Sequence, residues 1–322
     1  MRQPCPRSTD SDRLPAAVHR FVPILPNWLR HPSPYFLLAL AALFWAGNWV
    51  IGRAMRHGIA PVAMGFWRWA LALAILLPFS WTELRDNRQT LRENWVRLSL
   101  LGSLGATAFN TMIYVGLQHT AATNGVLFNS ISPILIILLS GLFLGERLRI
   151  RQGVGVAASL AGTLVIIARG ETAVLSSLKF NVGDLWLFAA MFLWASYTVI
   201  LRRHPMRLSP VGFLAAILIF GLLWLLPFYL WELWTRGGFE LKLATLATLG
   251  YYATLPSVVA YLFWNQGVAQ VGPNKAGLFA HLIPVFGALL AVAFLGESLH
   301  GYHYLGAALI FSGIYFTTSG RE

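Results

Sequence analysis

Ten apolar runs, each close to the length that crosses a bilayer, occupy most of this 322-residue chain. They lie at 35–53, 60–80, 97–117, 121–143, 152–168, 183–201, 210–230, 244–267, 273–295 and 302–318. A helix rising about 1.5 Å per residue needs roughly 20 mainly apolar residues to span the hydrocarbon core. The runs are continuous and do not alternate at period two, so they predict helices and not barrel strands. Only 11% of the residues are charged and 57% are apolar, against roughly 25% charged in soluble domains. That polar surface is too small to coat ten such helices in water. A soluble fold and an intrinsically disordered chain are excluded. So is a disulfide scaffold, because Cys5 is the only cysteine.

The net charge of +12 would suggest nucleic acid in a soluble protein. Its placement suggests a membrane instead. Sixteen of the 24 Lys and Arg residues fall on one side: the N-terminal segment, the loops around Arg92, Arg149 and Arg203, and Arg321. Six fall on the other side, and Arg68 and Lys275 lie inside runs. The excess of positive charge marks the cytoplasmic side, which places both termini there and needs no nucleic acid. Residues 1–33, rich in Pro, Arg, Ser and Asp, read as a flexible cytoplasmic tail. Their one apolar stretch, Phe21 to Leu25, is broken by Pro23 and too short for a signal-peptide core.

The remainder repeats itself. A shift of 149 residues places Trp45-Ala46 on Trp194-Ala195, Pro61 on Pro210, Pro78-Phe79 on Pro227-Phe228 and Glu83-Leu84 on Glu232-Leu233. After a two-residue insertion the shift is 151. Pro133 then meets Pro284, Leu144-Gly145-Glu146 meets Leu295-Gly296-Glu297, and Gly155 and Gly162 meet Gly306 and Gly313. The units are 34–169 and 170–322, five runs each. An odd number forces the second copy into the membrane upside down. The expected fold is therefore an all-α integral membrane protein with ten transmembrane helices in two inverted five-helix repeats. That architecture is used by secondary transporters, whose halves rock about a site near the bilayer midplane.

Ten spans in a 5+5 repeat resemble the drug/metabolite transporter superfamily, and within it the EamA family. Phe44-Trp45-Ala46, Pro133, Pro284 and the two Leu-Gly-Glu endings carry the resemblance, which covers residues 35–318. It implies a central cavity lined by runs 1–4 and 6–9, with runs 5 and 10 at the periphery. It also implies export of metabolites such as amino acids across the bacterial inner membrane. The motifs are silent on substrate.

Ionisable groups inside a span are costly and need a reason. Arg68 lies in Phe66-Trp67-Arg68-Trp69, about 12 Å into the second run at about 1.5 Å per residue. It either faces a cavity as an anion-binding cation or snorkels to the near interface beside Trp67 and Trp69. Lys275 follows Gly272-Pro273-Asn274 at the start of the ninth run and has the same alternatives. The shifts align Arg68 with Ile217 and Lys275 with Asn124, so the repeated scaffold demands neither charge. No carboxylate falls in the middle of a run. A cation transporter would be expected to hold one, so the composition favours anionic or carboxylate-bearing zwitterionic solutes. His281 is the one mid-run histidine, either a titrating group or a packed, hydrogen-bonded one. It stands about 240° round a straight helix from Lys275, given 3.6 residues per turn.

Neutral polar residues exchange between the repeats. Asn110 and Tyr114 align with Tyr261 and Asn265, and Asn48 aligns with Tyr197. Asn and Tyr suit a small polar solute, and equally suit helix-to-helix hydrogen bonding. Trp45 and Trp194, shared by both repeats, read as packing residues. The expected substrate-binding set is Arg68, Asn48, Asn110, Tyr114, Tyr197, Tyr261, Asn265, Lys275 and His281. Pro133 and Pro284 are expected in mid-helix, freeing the Asn129 and Ala280 carbonyls as kinks or gates. The glycines of runs 5 and 10 read as a close-packing face.

There is no phosphate-binding G-x-x-x-x-G-K-[ST] loop, and no nucleophile with a partnered base. His300 and His303 have a metal-like spacing but only Glu297 nearby, and read as interfacial decoration. No cofactor, metal or enzymatic activity is expected. The expected activity is export of a small carboxylate-bearing metabolite by alternating access, with a counter-ion or proton as possible driver. The competing class is an intramembrane enzyme or a sensor, and the competing substrate a neutral or drug-like solute. Partners are a small molecule and the lipid bilayer; coupling, direction and oligomeric state stay open.

Overall fold

The computed structural model describes residues 32–55, 59–120, 122–146, 148–171, 173–174, 181–203 and 206–319. Of the expected N-terminal tail 1–33, residues 1–31, Cys5 included, lie outside the described residues, as do Arg56, Arg147, Lys179 and Arg321 of the charge count. The chain divides into Met1–Ser33 and Pro34–Glu322, and the described helices all belong to the second unit.

All regular structure among the described residues is helical. In chain order the elements are α1 (Pro34–Met55), α2 (Pro61–Asp86), α3 (Arg88–Glu93), α4 (Trp95–Gly102), α5 (Ala108–His119), α6 (Ala122–Asn129), α7 (Ser132–Leu144) and α8 (Ile150–Ile167). The second half contributes α9 (Val182–Arg203), α10 (Pro210–Arg236), α11 (Leu243–Ala253), α12 (Ala260–Val271), α13 (Pro273–Gly277), α14 (Leu282–Leu295) and α15 (Gly301–Thr318). Among the described residues, eight stretches are long and apolar enough to cross a membrane: Pro61–Asp86, Trp95–His119, Asn124–Leu144, Ile150–Ile167, Val182–Arg203, Pro210–Arg236, Leu243–Val271 and Pro273–Phe294. Pro34–Asn48 is a shorter apolar helix. This is a multi-pass membrane protein.

The second helix of each half begins with a proline, whose fixed φ and missing N–H suit a first turn. What caps it comes from the other half. Glu232, near the end of α10, accepts the backbone N–H of Ala63 at 2.7 Å and of Val62 at 3.3 Å. Glu83, near the end of α2, accepts the backbone N–H of Ser209 at 2.5 Å and its hydroxyl proton. The Ser209 oxygen in turn accepts from Gly212 N–H. Each carboxylate therefore lies at the positive pole of a helix dipole. Because each helix ends where the other starts, α2 and α10 run antiparallel.

The Leu-Gly-Glu endings terminate helices α7 and α14. Gly145 and Gly296 take φ of 70° and 67°, a left-handed cap that costs other residues strain. After them, α8 and α15 pack backbone to backbone. A β-carbon added at Gly155 would stand 2.6 Å from the Gly313 carbonyl oxygen, and one at Gly162 2.5 Å from that of Gly306. The expected close-packing face is present, and it is shared between these two helices.

Two irregularities recur in both halves. A π-helical turn joins α4 to α5 at Ser103–Thr107 and α11 to α12 at Thr254–Val259. A tight break precedes α7 at Ser130–Ile131, and a 3₁₀ turn precedes α14 at Leu278–His281. This corrects the mid-helix placement of the prolines. Pro133 and Pro284 stand in the first turn of α7 and α14, where a missing N–H leaves no helical bond unmade. The Ser130 carbonyl in the first break accepts from His281 Nε2 at 3.0 Å.

Candidate functional site

α2 carries Arg68 inward. Only 2% of it is exposed, so it does not snorkel to an interface. Trp69 beside it is wholly buried and donates its indole N–H to Ala106 O at 3.1 Å. Trp67 points elsewhere, to the Tyr229 hydroxyl at 3.1 Å. The guanidinium is held by neutral oxygens. Nε donates to Ser257 Oγ at 2.5 Å, one terminal nitrogen to Asn110 Oδ1 and Tyr114 Oη at 2.9 Å each, and the other to Pro256 O at 3.4 Å. The rings of Trp69 and Tyr252 lie 5.0 and 5.5 Å from its central carbon. Among the described residues no carboxylate pairs with it. An arginine stays charged in a protein. This is therefore a buried cation whose counter-charge is supplied by dipoles.

Two of those dipoles, Ser257 and Pro256, come from a π-helical turn, and Asn110 and Tyr114 follow the other one on α5. A widened turn misaligns main-chain bonds and leaves carbonyls open to side chains, and such turns cluster at functional sites. Pro256, which has no N–H, sits in one of them. Its carbonyl receives both Arg68 and the Trp45 indole N–H, the latter at 2.9 Å. In the other turn, Gly105 O accepts from the Tyr261 hydroxyl and Ala106 O from Asn110 at 3.0 Å. Asn110 and Tyr261, aligned by the repeat, lie 3.4 Å apart.

Beside this polar group is an aromatic cluster. Trp45 meets Trp194 edge-on at 5.2 Å, and Trp264 lies 5.2 and 5.3 Å from the two. Tyr261 joins Trp45 and Trp194 at 5.8 and 5.6 Å. The packing role expected of the shared tryptophans is what the geometry shows. Tyr197 donates to Asn265 Oδ1 at 2.7 Å. Asn48 receives the Tyr252 hydroxyl on its backbone carbonyl at 3.1 Å, while its side-chain Oδ1 is buried with no partner among the described residues.

A profile of the EamA-like transporter family matches residues 32–168 and again residues 181–319. The chain belongs to the EamA-like transporter family. Among its relatives is the uncharacterized transporter YyaM of Bacillus subtilis, 26% identical over 91% of this chain and 95% of that one. A probable terminal-alkyne amino-acid exporter of Streptantibioticus cattleyicolor is 24% identical over 86% and 90% of the two chains. A probable amino-acid metabolite efflux pump of Escherichia coli is 24% identical over 88% and 94%. One crystal structure, 21% identical, superposes with a TM-score of 0.73 over 89% of this chain and 96% of the other, and shares the fold.

In this EamA chain the expected site residues divide. Arg68, Asn110, Tyr114 and Tyr261 form one connected group, with Asn48 linked to it through Tyr252. Tyr197 and Asn265 adjoin it across the aromatic cluster, the Tyr197 and Tyr261 rings lying 6.4 Å apart. His281 lies elsewhere: wholly buried, it donates from Nε2 to Ser130 O and meets the Ser159 hydroxyl at Nδ1. Both ring nitrogens are occupied in joining three helical segments, none of which carries Arg68. Lys275 is half-buried next to Glu146, which also accepts from Asn274 at 2.7 Å. Burial pushes the Glu146 carboxyl above its ordinary range, and Arg202 and Lys275 pull it back. Lys275 thus has an anionic neighbour that Arg68 lacks. Among the described residues no three His, Cys, Asp or Glu side chains gather as a metal site.

Ser257, Pro256, Trp69 and Tyr252 were not expected at the site. Pro256, a proline inside an apolar run, was a usable signal for an irregular turn. Nothing marked Ser257 or Tyr252, which reach Arg68 from more than 180 residues away in sequence.

Proposed function

We propose that this chain is a secondary transporter of the bacterial inner membrane that exports a small carboxylate-bearing metabolite, such as an amino acid, by alternating access. The observation that carries the substrate class is Arg68: a buried guanidinium placed between the halves, held only by neutral acceptors. A carboxylate adds the opposite charge that the neutral oxygens lack, and it can take two guanidinium nitrogens at once. It would therefore displace Asn110 and Tyr114 from Arg68 with a net gain. Asn110, Tyr261 and Asn265 present amide and hydroxyl groups for the rest of the solute, and the Trp45–Trp194–Trp264 cluster presents apolar faces.

Ten spans in two inverted repeats, 34–169 and 170–322, fit this reading. The reciprocal caps of α2 and α10, and the crossed glycine pairs of α8 and α15, are what an antiparallel pair of like units would produce. Names given to relatives in Streptantibioticus and Escherichia coli support amino-acid-related solutes. Both termini are assigned to the cytoplasm on the Lys and Arg asymmetry. A cysteine replacing Arg97 or Arg202 should then resist an impermeant thiol reagent added to intact cells.

The test is counter-flow of labelled amino and organic acids in proteoliposomes. At least one carboxylate should exchange saturably, and Arg68→Ala should lower its flux at least tenfold. Arg68→Lys keeps the charge but loses the planar fork, so it should restore only a fraction. Equal flux of a neutral analogue through wild type and Arg68→Ala would sink the carboxylate reading.

A further inference from the structure

The two halves make the same bond on one side and not on the other. In the second half the Tyr197 hydroxyl donates to Asn265 Oδ1 at 2.7 Å, tying α9 to α12. The counterparts of those residues are Asn48 and Tyr114, with donor and acceptor types exchanged. A matching bond would run from the Tyr114 hydroxyl to Asn48 Oδ1 and tie α5 to α1. It is absent. Arg68 occupies the Tyr114 oxygen at 2.9 Å, no described residue accepts the hydroxyl proton, and Asn48 Oδ1 is buried without a described partner. A buried acceptor left unpaired carries a desolvation cost that a new donor relieves. Both residues border Tyr252, whose hydroxyl bonds the Asn48 backbone and whose ring lies under the Arg68 guanidinium. The position equivalent to Arg68 is Ile217, so in the second half no guanidinium holds the tyrosine oxygen in another place.

We propose that Tyr114 and Asn48 couple substrate arrival to the change of access. A carboxylate that takes the Arg68 terminal nitrogen releases Tyr114, and the freed hydroxyl donates to Asn48 Oδ1. The first half then gains the bond that the second half already has. This rests on Arg68 as the carboxylate site and adds what happens next. A ligand shifts a two-state equilibrium only through differential interaction with the two states. Here the difference is the pairing of Asn48 Oδ1, which Tyr114 makes once Arg68 no longer holds its oxygen in place. Tyr114 and Asn48 are positioning residues in this scheme.

Amide hydrogen exchange on the full chain in lipid nanodiscs tests it, with benzoate and leucine as probes and tryptophan fluorescence to report their binding. Arg68→Gln without any probe should slow exchange in Ala108–His119 at least threefold, because it releases Tyr114. The double variant Arg68→Gln/Asn48→Leu should return to the wild-type rate. In wild type a bound probe should give the same slowing, and Asn48→Leu should abolish it while the fluorescence change persists. Tyr197→Phe, which removes the matching bond, should speed exchange in Ala260–Val271. If the slowing in Arg68→Gln survives the loss of Asn48, or Arg68→Gln folds and exchanges like wild type, the coupling is refuted. If Arg68→Gln does not fold, the probe-bound Asn48→Leu comparison decides. Neither probe binding would count against the carboxylate reading, and the probe-free variants would still decide the coupling.

Discussion

Glu232 accepts the backbone N–H of Ala63 at 2.7 Å, from a helix that begins 149 residues later than the one it caps. Glu83 answers it at the opposite end of the same helix pair, through Ser209. The two carboxylates are sequence counterparts and serve each other's helices, so α2 and α10 are fastened at both ends.

Replacing Glu232 by Ala should therefore cost about 1–2 kcal/mol, the worth of a carboxylate at a partly buried helix N-terminus. Glu83→Ala should cost less, since the Ser209 hydroxyl still accepts from Gly212. SDS-titrated unfolding followed by tryptophan fluorescence would rank them. Equal, negligible losses would show that the caps are ornamental.

The α8–α15 contact allows no side chain. Leucine at Gly155 or Gly313 should prevent a folded monodisperse protein, because its β-carbon would already collide with the facing carbonyl. Alanine at Gly145 meets no neighbour within 4 Å and should cost only the left-handed strain, about 1–2 kcal/mol. Thermal denaturation in detergent separates the two kinds of glycine.

His281→Ala strips the Ser130 carbonyl of its donor at a buried site, a loss of about 1–3 kcal/mol before any cavity term. The melting midpoint should fall while saturable binding of a carboxylate at Arg68 persists. Loss of binding in a fully folded variant would return His281 to the substrate site.

Glu146 predicts a pH dependence. Burial raises its carboxyl above the ordinary value of 4.5, so protonation favours the folded state. Its contribution is fully present below that value and is lost as pH rises through the raised one. Relative to Glu146→Gln, wild type should gain stability on acidification from about pH 7 to about pH 4. A difference independent of pH, or of opposite slope, contradicts the direction.

Much of the site was legible because its residues break the internal symmetry: Arg68 stands where the other half has Ile217, and Asn and Tyr trade places at three aligned pairs. His281 and Lys275 broke the symmetry as well, yet neither joins the Arg68 group. Composition could not tell a cation free of acids from one beside Glu146, since Glu146 and Lys275 are 129 residues apart. Nor could it see that the span irregularities fall before the prolines, because a proline is tolerated wherever a helix restarts.

The helices, their number of apolar runs and their repetition follow from residue order alone, because hydropathy and turn chemistry act over a few residues and alignment needs no coordinates. Which carbonyl receives Arg68, which helix Glu232 caps and what His281 holds are set by contacts between residues 122 to 189 positions apart. Such pairs are chosen by the packing of helices from distant parts of the sequence, and only the folded chain brings them within reach.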